Sequence, residues 1–316
     1  MSSTSRRAVI LGGTGAIGGA TAQRLVERGW SVDVTGRTPD GMPDELAELG
    51  VRFHAVDRSD TRALSRLVGA GSDLLVDLVA YTGSHVVDAL PFYRDSGSIV
   101  VASSRAVYVD EGGRHINGDE PPRFPVPILE TNSTLAPAAP GTNPYSREGY
   151  APCKVAMERM ALDSGLPVTV IRPSKVHGRW ARNARTRAII ERMLAGDDRI
   201  ELTRRGESVD HLTAAVNAAA LIEAVADAPG ARILNIADPD PLTAIEIVEA
   251  IAAAIGWEGR IVGLDVGAPG GEHPWSAVHP IVLDTTAATK LGYRPIAPGR
   301  ALLATEASWV ANTHRR

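Results

Sequence analysis

The sequence predicts an α/β fold in which a doubly wound parallel sheet carries helices on both faces. Three observations predict it. Short apolar runs alternate with helical patterns through the first half of the chain. Gly12, Gly15 and Gly18 fall at three-residue spacing between the first such run and the first helical pattern. Asp73 to Ala80 is an almost unbroken apolar run, as expected for a strand covered on both faces.

The elements follow in order. Residues 8–11 read as a strand and 16–28 as a helix ended by Gly29. A strand at 31–35, a short helix from Pro43 to Leu49 closed by Gly50, a strand from Val51 to Val56 and a helix from Thr61 to Val68 continue the alternation. The apolar run 73–80 follows, then a helix over 84–94 and a strand at 98–102. Residues 104–144, rich in proline, glycine and polar side chains, read as a long functional or mobile loop. A helix from Tyr145 to Leu162 and a strand from Pro167 to Ile171 restore the rhythm. Beyond them lie an arginine-rich amphipathic helix at 183–195 and an alanine-rich helix from His211 to Ala226. A strand from Arg232 to Ile236 and a helix from Pro241 to Ile255 come next, and the tail is less regular, with one more helix at 298–311.

Composition limits the function. With 316 residues the chain has ample core, and its formal net charge of −4 argues against broad nucleic-acid or membrane binding. Cys153 is the only cysteine, so an intrachain disulfide is impossible and a cysteine-ligated metal is not expected. His273 and His279 are too loosely spaced to read as a metal pair, so no metal site is expected. No apolar run approaches a membrane span, and Met1 to Arg7 is short and polar without a signal-peptide core. The expectation is a soluble, cytoplasmic protein.

The glycine-rich turn between a strand and a helix has a physical use. Glycine permits the tight turn and a close approach of backbone to phosphate, and the helix N-terminus offers unpaired N–H groups. Gly12, Thr14, Gly15, Ala16 and Ile17 are therefore candidate dinucleotide-binding positions. The second strand ends at Arg37, where an NAD-selecting site usually carries an acid. A guanidinium suits a 2′-phosphate by charge and by forked hydrogen bonding, which favours NADP with NAD as the alternative. Asp33 lies inside that strand, in the wrong place for a ribose. Asp57 can accept from an adenine amino group with Arg58 flanking the ring, and Val79, Ala80 and Tyr81 can pass beneath the cofactor's middle.

Tyr150 and Lys154 stand four residues apart on a predicted helix and so share a face. A phenol is a poor acid–base catalyst at neutral pH, and a nearby ammonium favours its ionised form. The same lysine can hold nicotinamide-ribose hydroxyls. Ser104, at the end of the strand 98–102, can polarise a substrate carbonyl. Ser103 and Ser104 are also ordinary strand-end hydroxyls.

In these motifs the chain resembles the extended short-chain dehydrogenase/reductase superfamily, specifically its NAD(P)-dependent epimerase/dehydratase group. The resemblance rests on Gly12-Gly13-Thr14-Gly15-Ala16-Ile17-Gly18, Ser103 to Tyr108, Tyr150 to Lys154, Arg172 to Gly178, Leu234 to Pro239 and Lys290 to Pro295. It implies a Rossmann-type domain over 1–178, with 205–236 returning to it. It implies a smaller C-terminal substrate-binding lobe made of 179–204 and 237–316. It makes Tyr150 the proton donor or acceptor, Lys154 its tuner and ribose ligand, and Ser104 the polariser, with Pro173 and Val176 lining the nicotinamide pocket. It also suggests a homodimer through the helices at 84–94 and 145–162.

The chain departs from the family pattern at several positions. Arg105 and Ala106 replace the acidic pair of sugar-nucleotide dehydratases, which argues against 4,6-dehydration. Lys175 stands where a small residue or asparagine is usual and points either to substrate or to solvent; His177 replaces a tyrosine. Ser208 to Thr213 resembles the substrate-lobe hinge, but Thr213 to Asn217 holds no acid. Tyr81 either touches substrate or simply opens the next helix.

The function expected is an NADP(H)-dependent oxidoreductase acting on a small molecule, with Tyr81, Arg105, Lys175 and Arg182 as substrate contacts. A first alternative is a nucleotide-sugar epimerase that oxidises its substrate transiently. Arg179, Arg182, Arg185 and Arg187 could then hold a diphosphate, or form a solvated helix face. A second alternative is a non-catalytic cofactor-binding or RNA-associated protein, which the intact Ser104, Tyr150 and Lys154 set argues against.

Overall fold

A computed structural model describes residues 5–69, 71–183 and 185–314. Met1 to Thr4 of the polar start, and Ala184 of the expected helix 183–195, lie outside the described residues.

Seven parallel strands form the central sheet: β1 (Arg7–Leu11), β2 (Ser31–Gly36), β3 (Arg52–Ala55), β4 (Ser72–Asp77), β5 (Ser96–Ala102), β6 (Val168–Pro173) and β10 (Arg232–Ile236). Their spatial order is β10-β6-β5-β4-β1-β2-β3. The winding reverses beside β1, so a crevice opens at the carboxyl ends of β1 and β4, where such sheets bind ligands. The helices α1 (Ala16–Glu27), α2 (Asp44–Glu48), α3 (Thr61–Val68), α4 (Gly83–Tyr93), α5 (Arg147–Leu162) and α7 (Ala215–Asp227) accompany it. One core lies under α1 and α7, with Ala8, Ile10, Leu25, Val34, Val76, Leu221 and Val225. Another lies on the opposite face under α3, α4 and α5, with Val9, Leu11, Leu64, Phe92, Ile99 and Met157.

A further core belongs to the later segments. There α6 (Arg185–Leu194), α8 (Ala244–Ile255) and α10 (Gly299–His314) pack Ile190, Met193, Ile247, Ile251, Leu303 and Val310 around the fully buried Trp275. The strands β8 (Arg199–Leu202) and β11 (Arg260–Gly263) pair in parallel beside it. Thr243 and Glu246 form a reciprocal capping box at the start of α8. A short α9 (Thr286–Lys290) completes the tail.

Three elements differ from expectation. The apolar run from Asp73 ends as a strand at Asp77, whose carboxylate accepts the N–H of Val79 at 3.0 Å in a local turn. That turn carries Val79 to Tyr81 across the sheet edge. The expected helix from His211 begins only at Ala215. Residues Leu212–Ala214 instead form a strand, β9, that pairs with β7 (Lys175–His177). Tertiary pairing overrides helical composition here: the buried Thr213 hydroxyl donates to the Ile236 carbonyl (2.7 Å) and accepts from Ser174 N–H (2.9 Å). The stretch 104–144 is irregular after a single 3₁₀ turn, Arg105–Val107, yet it is packed down. Val107, Tyr108, Phe124 and Ile128 join Val155, Ile281 and Leu283 in a small core of their own.

Among the described residues no helix is long and apolar enough to cross a membrane, and no group of histidine, cysteine and acidic side chains is arranged to hold a metal ion.

Candidate active site

The first βα turn has the geometry a dinucleotide requires. Gly12 has φ +83°, a left-handed conformation natural only to glycine. A Cβ at Gly13 would stand 2.4 Å from Val34, and one at Gly18 would stand 2.5 Å from the Gly12 carbonyl, so both glycines let α1 close onto the sheet. A Cβ at Gly15 would meet nothing within 4 Å. Gly15 is also the N-cap of α1, and no side chain caps that end. The first N–H groups of the helix, at Ala16 and Ile17, thus have no side-chain cap among the described residues and are suited to hold a pyrophosphate.

At the end of β2, Arg37 is exposed and makes no hydrogen bond or ion pair among the described residues. Asp57 faces it. Asp57 Oδ1 accepts from Ser59 N (2.8 Å) and Oγ (2.6 Å), and these bonds, with the Arg37 charge, hold its carboxyl below the usual range. Arg58 does not lie free beside an adenine site. Its guanidinium turns inward, with Nη1 2.5 Å from the fully buried Asp77 and Nη2 donating to the His85 carbonyl. Asp33 is structural: Arg7, Arg52 and His54 surround it and, against burial, hold it at about 2. Arg182 reaches the phosphate turn rather than Tyr150, donating from Nη2 to Thr14 Oγ1 at 2.7 Å.

The proposed chemistry sits at the ends of β4 and β5. Ser146 caps α5 by accepting the Gly149 N–H, placing Tyr150 in the first turn and Lys154 one turn later on the same face. Lys154 is buried, and its Nζ donates to the carbonyls of Ala80 (2.7 Å) and Ala102 (2.8 Å), 4.3 Å from the Tyr81 ring centre. Burial lowers it to about 8. Ser104 caps the 3₁₀ turn, its Oγ accepting the Ala106 N–H at 3.2 Å, and lies close enough to Tyr150 to act on its phenol. Burial nonetheless raises the Tyr150 phenol, and Ser104 only moderates the rise. The expected lowering by Lys154 is absent because its ammonium, tied to two carbonyls, lies 6.0 Å from the Tyr150 ring centre. Tyr81 packs between Tyr150 and Tyr145, at 6.3 and 5.3 Å between ring centres. The adjacent Ser103 hydroxyl is buried without a partner among the described residues. Pro173 is buried at the end of β6, and Val176 packs on Ala16 and Ala20 of α1 and Ala215 of α7.

Around this centre lies a cationic group. Arg105, 5% exposed, pairs with Asp210. Lys175 turns inward: its Nζ is 2.7 Å from the other Asp210 oxygen and donates to the Pro274 carbonyl. Arg185, half-buried in the first turn of α6, has no hydrogen-bond or ion-pair partner among the described residues. Burial lowers its pKa, and the charges it feels are those of Arg105, Asp210 and Tyr150. Arg187, by contrast, is exposed and pairs with Glu191 at 2.7 Å.

Residues 8–237 match the NAD dependent epimerase/dehydratase family. The chain belongs to that family. It is accordingly an enzyme of the NAD(P)-dependent reductase, dehydrogenase or epimerase kind. Among solved structures, dTDP-glucose 4,6-dehydratase from Bacillus anthracis, in complex with NAD, is 16% identical with a TM-score of 0.73, covering 98% of both chains. UDP-glucose 4-epimerase from Thermotoga maritima, solved with UDP-glucose, is 18% identical with a TM-score of 0.70, covering 98% of this chain and 99% of that one. A serine 3-dehydrogenase from Rhizobium radiobacter is 39% identical over 72 residues, 22% of this chain. The matched stretch spans 29% of that enzyme's length.

Two departures from the family pattern now have a structural account. His177 is 1% exposed and bridges Asp238 (Nε2, 3.1 Å) and Glu306 (Nδ1, 2.9 Å). Burial opposes its charge, but the two carboxylates outweigh it and raise the imidazole to about 9. The acid missing from Thr213 to Asn217 is supplied by Asp238, which accepts from Ala214 N and Asn217 Nδ2, both at 2.8 Å. Sequence reasoning missed Asp210 as the partner of Arg105 and Lys175. The available signal was that it is the single acid in the hinge-like segment. It also missed Asp77, hidden by the apolar run around it, and it did not separate Arg185 from the arginines beside it.

Proposed function

We propose that this family member is an NADP(H)-dependent oxidoreductase of the extended short-chain dehydrogenase type. Hydride moves to or from a carbonyl or alcohol carbon, with Tyr150 as general acid/base. The observation that carries the reading is the convergence of Ser104, Tyr150 and Lys154 at the sheet edge beside the phosphate turn.

The Gly12–Ile17 turn binds the pyrophosphate, and Arg37, without a partner among the described residues, takes a 2′-phosphate at the end of β2. Arg182 on Thr14 adds a second cation to that side of the turn. Val79, Ala80, Pro173 and Val176 line the nicotinamide half, and Lys154 turns from the Ala80 and Ala102 carbonyls to the ribose hydroxyls. The cofactor supplies or accepts the hydride. Ser104 donates to the substrate oxygen. Tyr150, its pKa raised by burial, holds its proton at neutral pH and releases it to the alkoxide that forms. A protonated phenol suits reduction, and the partial likeness to a serine 3-dehydrogenase supports hydride exchange at an alcohol carbon.

The substrate enters beneath a lobe of residues 179–204 and 237–316, over a cofactor domain of 1–178 and 205–236. A homodimer forms through α4 and α5, a reading supported by the exposed Val87 and Met160 on these helices. The cytoplasm, where NADPH is plentiful, is the compartment expected.

NADPH and NADH titrations followed by nicotinamide fluorescence test the cofactor assignment, and NADPH absorbance in the presence of candidate carbonyl compounds tests the reaction. Stoichiometric NADPH oxidation is expected. Isomerisation without net oxidation would replace this reading with the epimerase.

A further inference from the structure

Arg185 is the one cation of the site that the protein leaves without a partner among the described residues. Arg105 and Lys175 share the Asp210 carboxylate, and Lys175 adds the Pro274 carbonyl. Arg187, two residues from Arg185, is exposed and paired with Glu191. Three cations therefore face one carboxylate: Arg105, Lys175 and Arg185 against Asp210. The nearby His273 ring adds no compensating negative charge. A surplus of positive charge in a half-buried place is costly unless an anion joins it. Arg185 is doubly misplaced without one. It occupies the first turn of α6, where the helix dipole favours negative charge.

The position of this surplus indicates which anion. Thr186, the next residue of α6, donates to Glu306, which pairs with His177 of β7, two residues from Lys175. Lys175 shares Asp210 with Arg105, the residue next to Ser104. The start of α6 is thus held beside the strand that carries Lys175, and the charge of Arg185, without a partner among the described residues, reaches Tyr150. A diphosphate carried across a sugar ring would lie a ring's width from the carbon that Tyr150 serves. A guanidinium also presents a planar pair of donors matched to a carboxylate.

Resting on the oxidoreductase reading above, we propose that the substrate is a small acid. Its carboxylate lies within two bonds of the reacting carbon and is bound by Arg185, with Lys175 beside it. Arg105 and Asp210 act as positioning residues that hold Lys175 toward the same pocket.

Two acid–amide pairs test this: oxamate against oxamide, and acetoacetate against acetoacetamide. Within each pair the shape is alike and only the charge differs. Calorimetric titrations into the protein, with and without NADP⁺, give the affinities, and a UDP titration serves as the diphosphate control. In at least one pair the acid is expected to bind about tenfold or more tightly than its amide. Arg185→Gln should erase that preference, and Arg185→Lys should keep part of it. A thermal melt confirms that each variant is folded.

Equal binding of acid and amide in both pairs would overturn the proposal. So would acid selectivity that survives Arg185→Gln. Binding of UDP that depends on Arg185, with neither acid bound, would also overturn it and move the anion to a distant diphosphate. Failure of NADPH to bind would instead refute the cofactor reading, because the acid–amide contrast is also measured without cofactor.

Discussion

Two buried polar clusters flank the carboxyl edge of the sheet, and they are built on opposite principles. In the cluster around His177, both ring nitrogens meet carboxylates and Thr186 donates to Glu306. Asn217 there donates to Asp238 and accepts from Ile296. In the cluster around Tyr150, Arg185 and the Ser103 hydroxyl have no partner among the described residues, and Lys154 rests on two strand-end carbonyls. Buried groups that satisfy one another hold a fold together; buried groups left unsatisfied are positioned for something outside it. The difference supports a stabilising role for the first cluster and the proposed chemistry for the second.

The sharpest way to break that assignment is to remove the Tyr150 hydroxyl. Tyr150→Phe is expected to lower NADPH-dependent turnover by about 10²–10⁴-fold, the usual contribution of a positioned acid or base. NADPH affinity, read by fluorescence, should stay within about threefold, because the ring and its neighbours remain. Full turnover in the variant would move Tyr150 to the structural side of the comparison and overturn its role as general acid/base.

The converse holds for His177. Its replacement by glutamine leaves Asp238 and Glu306 facing each other without the cation between them. Breaking a buried pair in this way costs about 3–5 kcal/mol. The sign of the pH effect follows from the raised pKa. The folded protein keeps the His177 proton up to about 9, whereas the unfolded chain loses it near 6.5. The stabilisation is therefore fully present below 6.5 and is lost as pH rises through 9. Melting temperatures of the native protein should fall across that window, and those of His177→Gln should fall less. Parallel slopes would show that His177 is not the cation of this cluster.

How much of this was legible in the sequence depended on whether a residue acts through its neighbours in the chain or through distant ones. The glycine turn and the Tyr150–Lys154 pair are local patterns, and the strand alternation is a period of two or three elements, so all three could be read directly. The pairing of Lys175–His177 with Leu212–Ala214 could not, because alanine-rich composition favours a helix and only contact across the chain makes those residues a strand. The same holds for Asp210, whose meaning depends on Arg105 and Lys175, and for Asp77, which an apolar run conceals. The tuning of Tyr150 by Lys154 was a sound inference from spacing, but spacing does not reveal that the ammonium has two carbonyls to hold instead.

A milder test concerns Arg37, the exposed counterpart of Arg185: a cation without a partner among the described residues, here at the end of β2 where the proposed 2′-phosphate would lie. Arg37→Ala should weaken NADPH by about 10–100-fold, in keeping with the loss of a charge-assisted, forked phosphate contact. NADH, which lacks the phosphate, should change by no more than about twofold. Equal losses for the two cofactors, or no loss, would show that Arg37 does not select the phosphate.

The smallest effect is expected at Arg182, and it separates the cofactor side of the crevice from the substrate side. Its guanidinium lies on Thr14 of the phosphate turn and is exposed, so its charge is screened and its contribution to binding should stay near 1 kcal/mol or below. Arg182→Ala should therefore weaken NADPH by roughly fivefold or less and leave the acid–amide preference set by Arg185 unchanged. These arginines stand three residues apart on one segment but face different ligands, so a single substitution should move one affinity alone. If Arg182→Ala altered the acid–amide preference and spared NADPH, the surplus charge at Tyr150 would extend to the phosphate turn, and the division between the two ends of the crevice would fail.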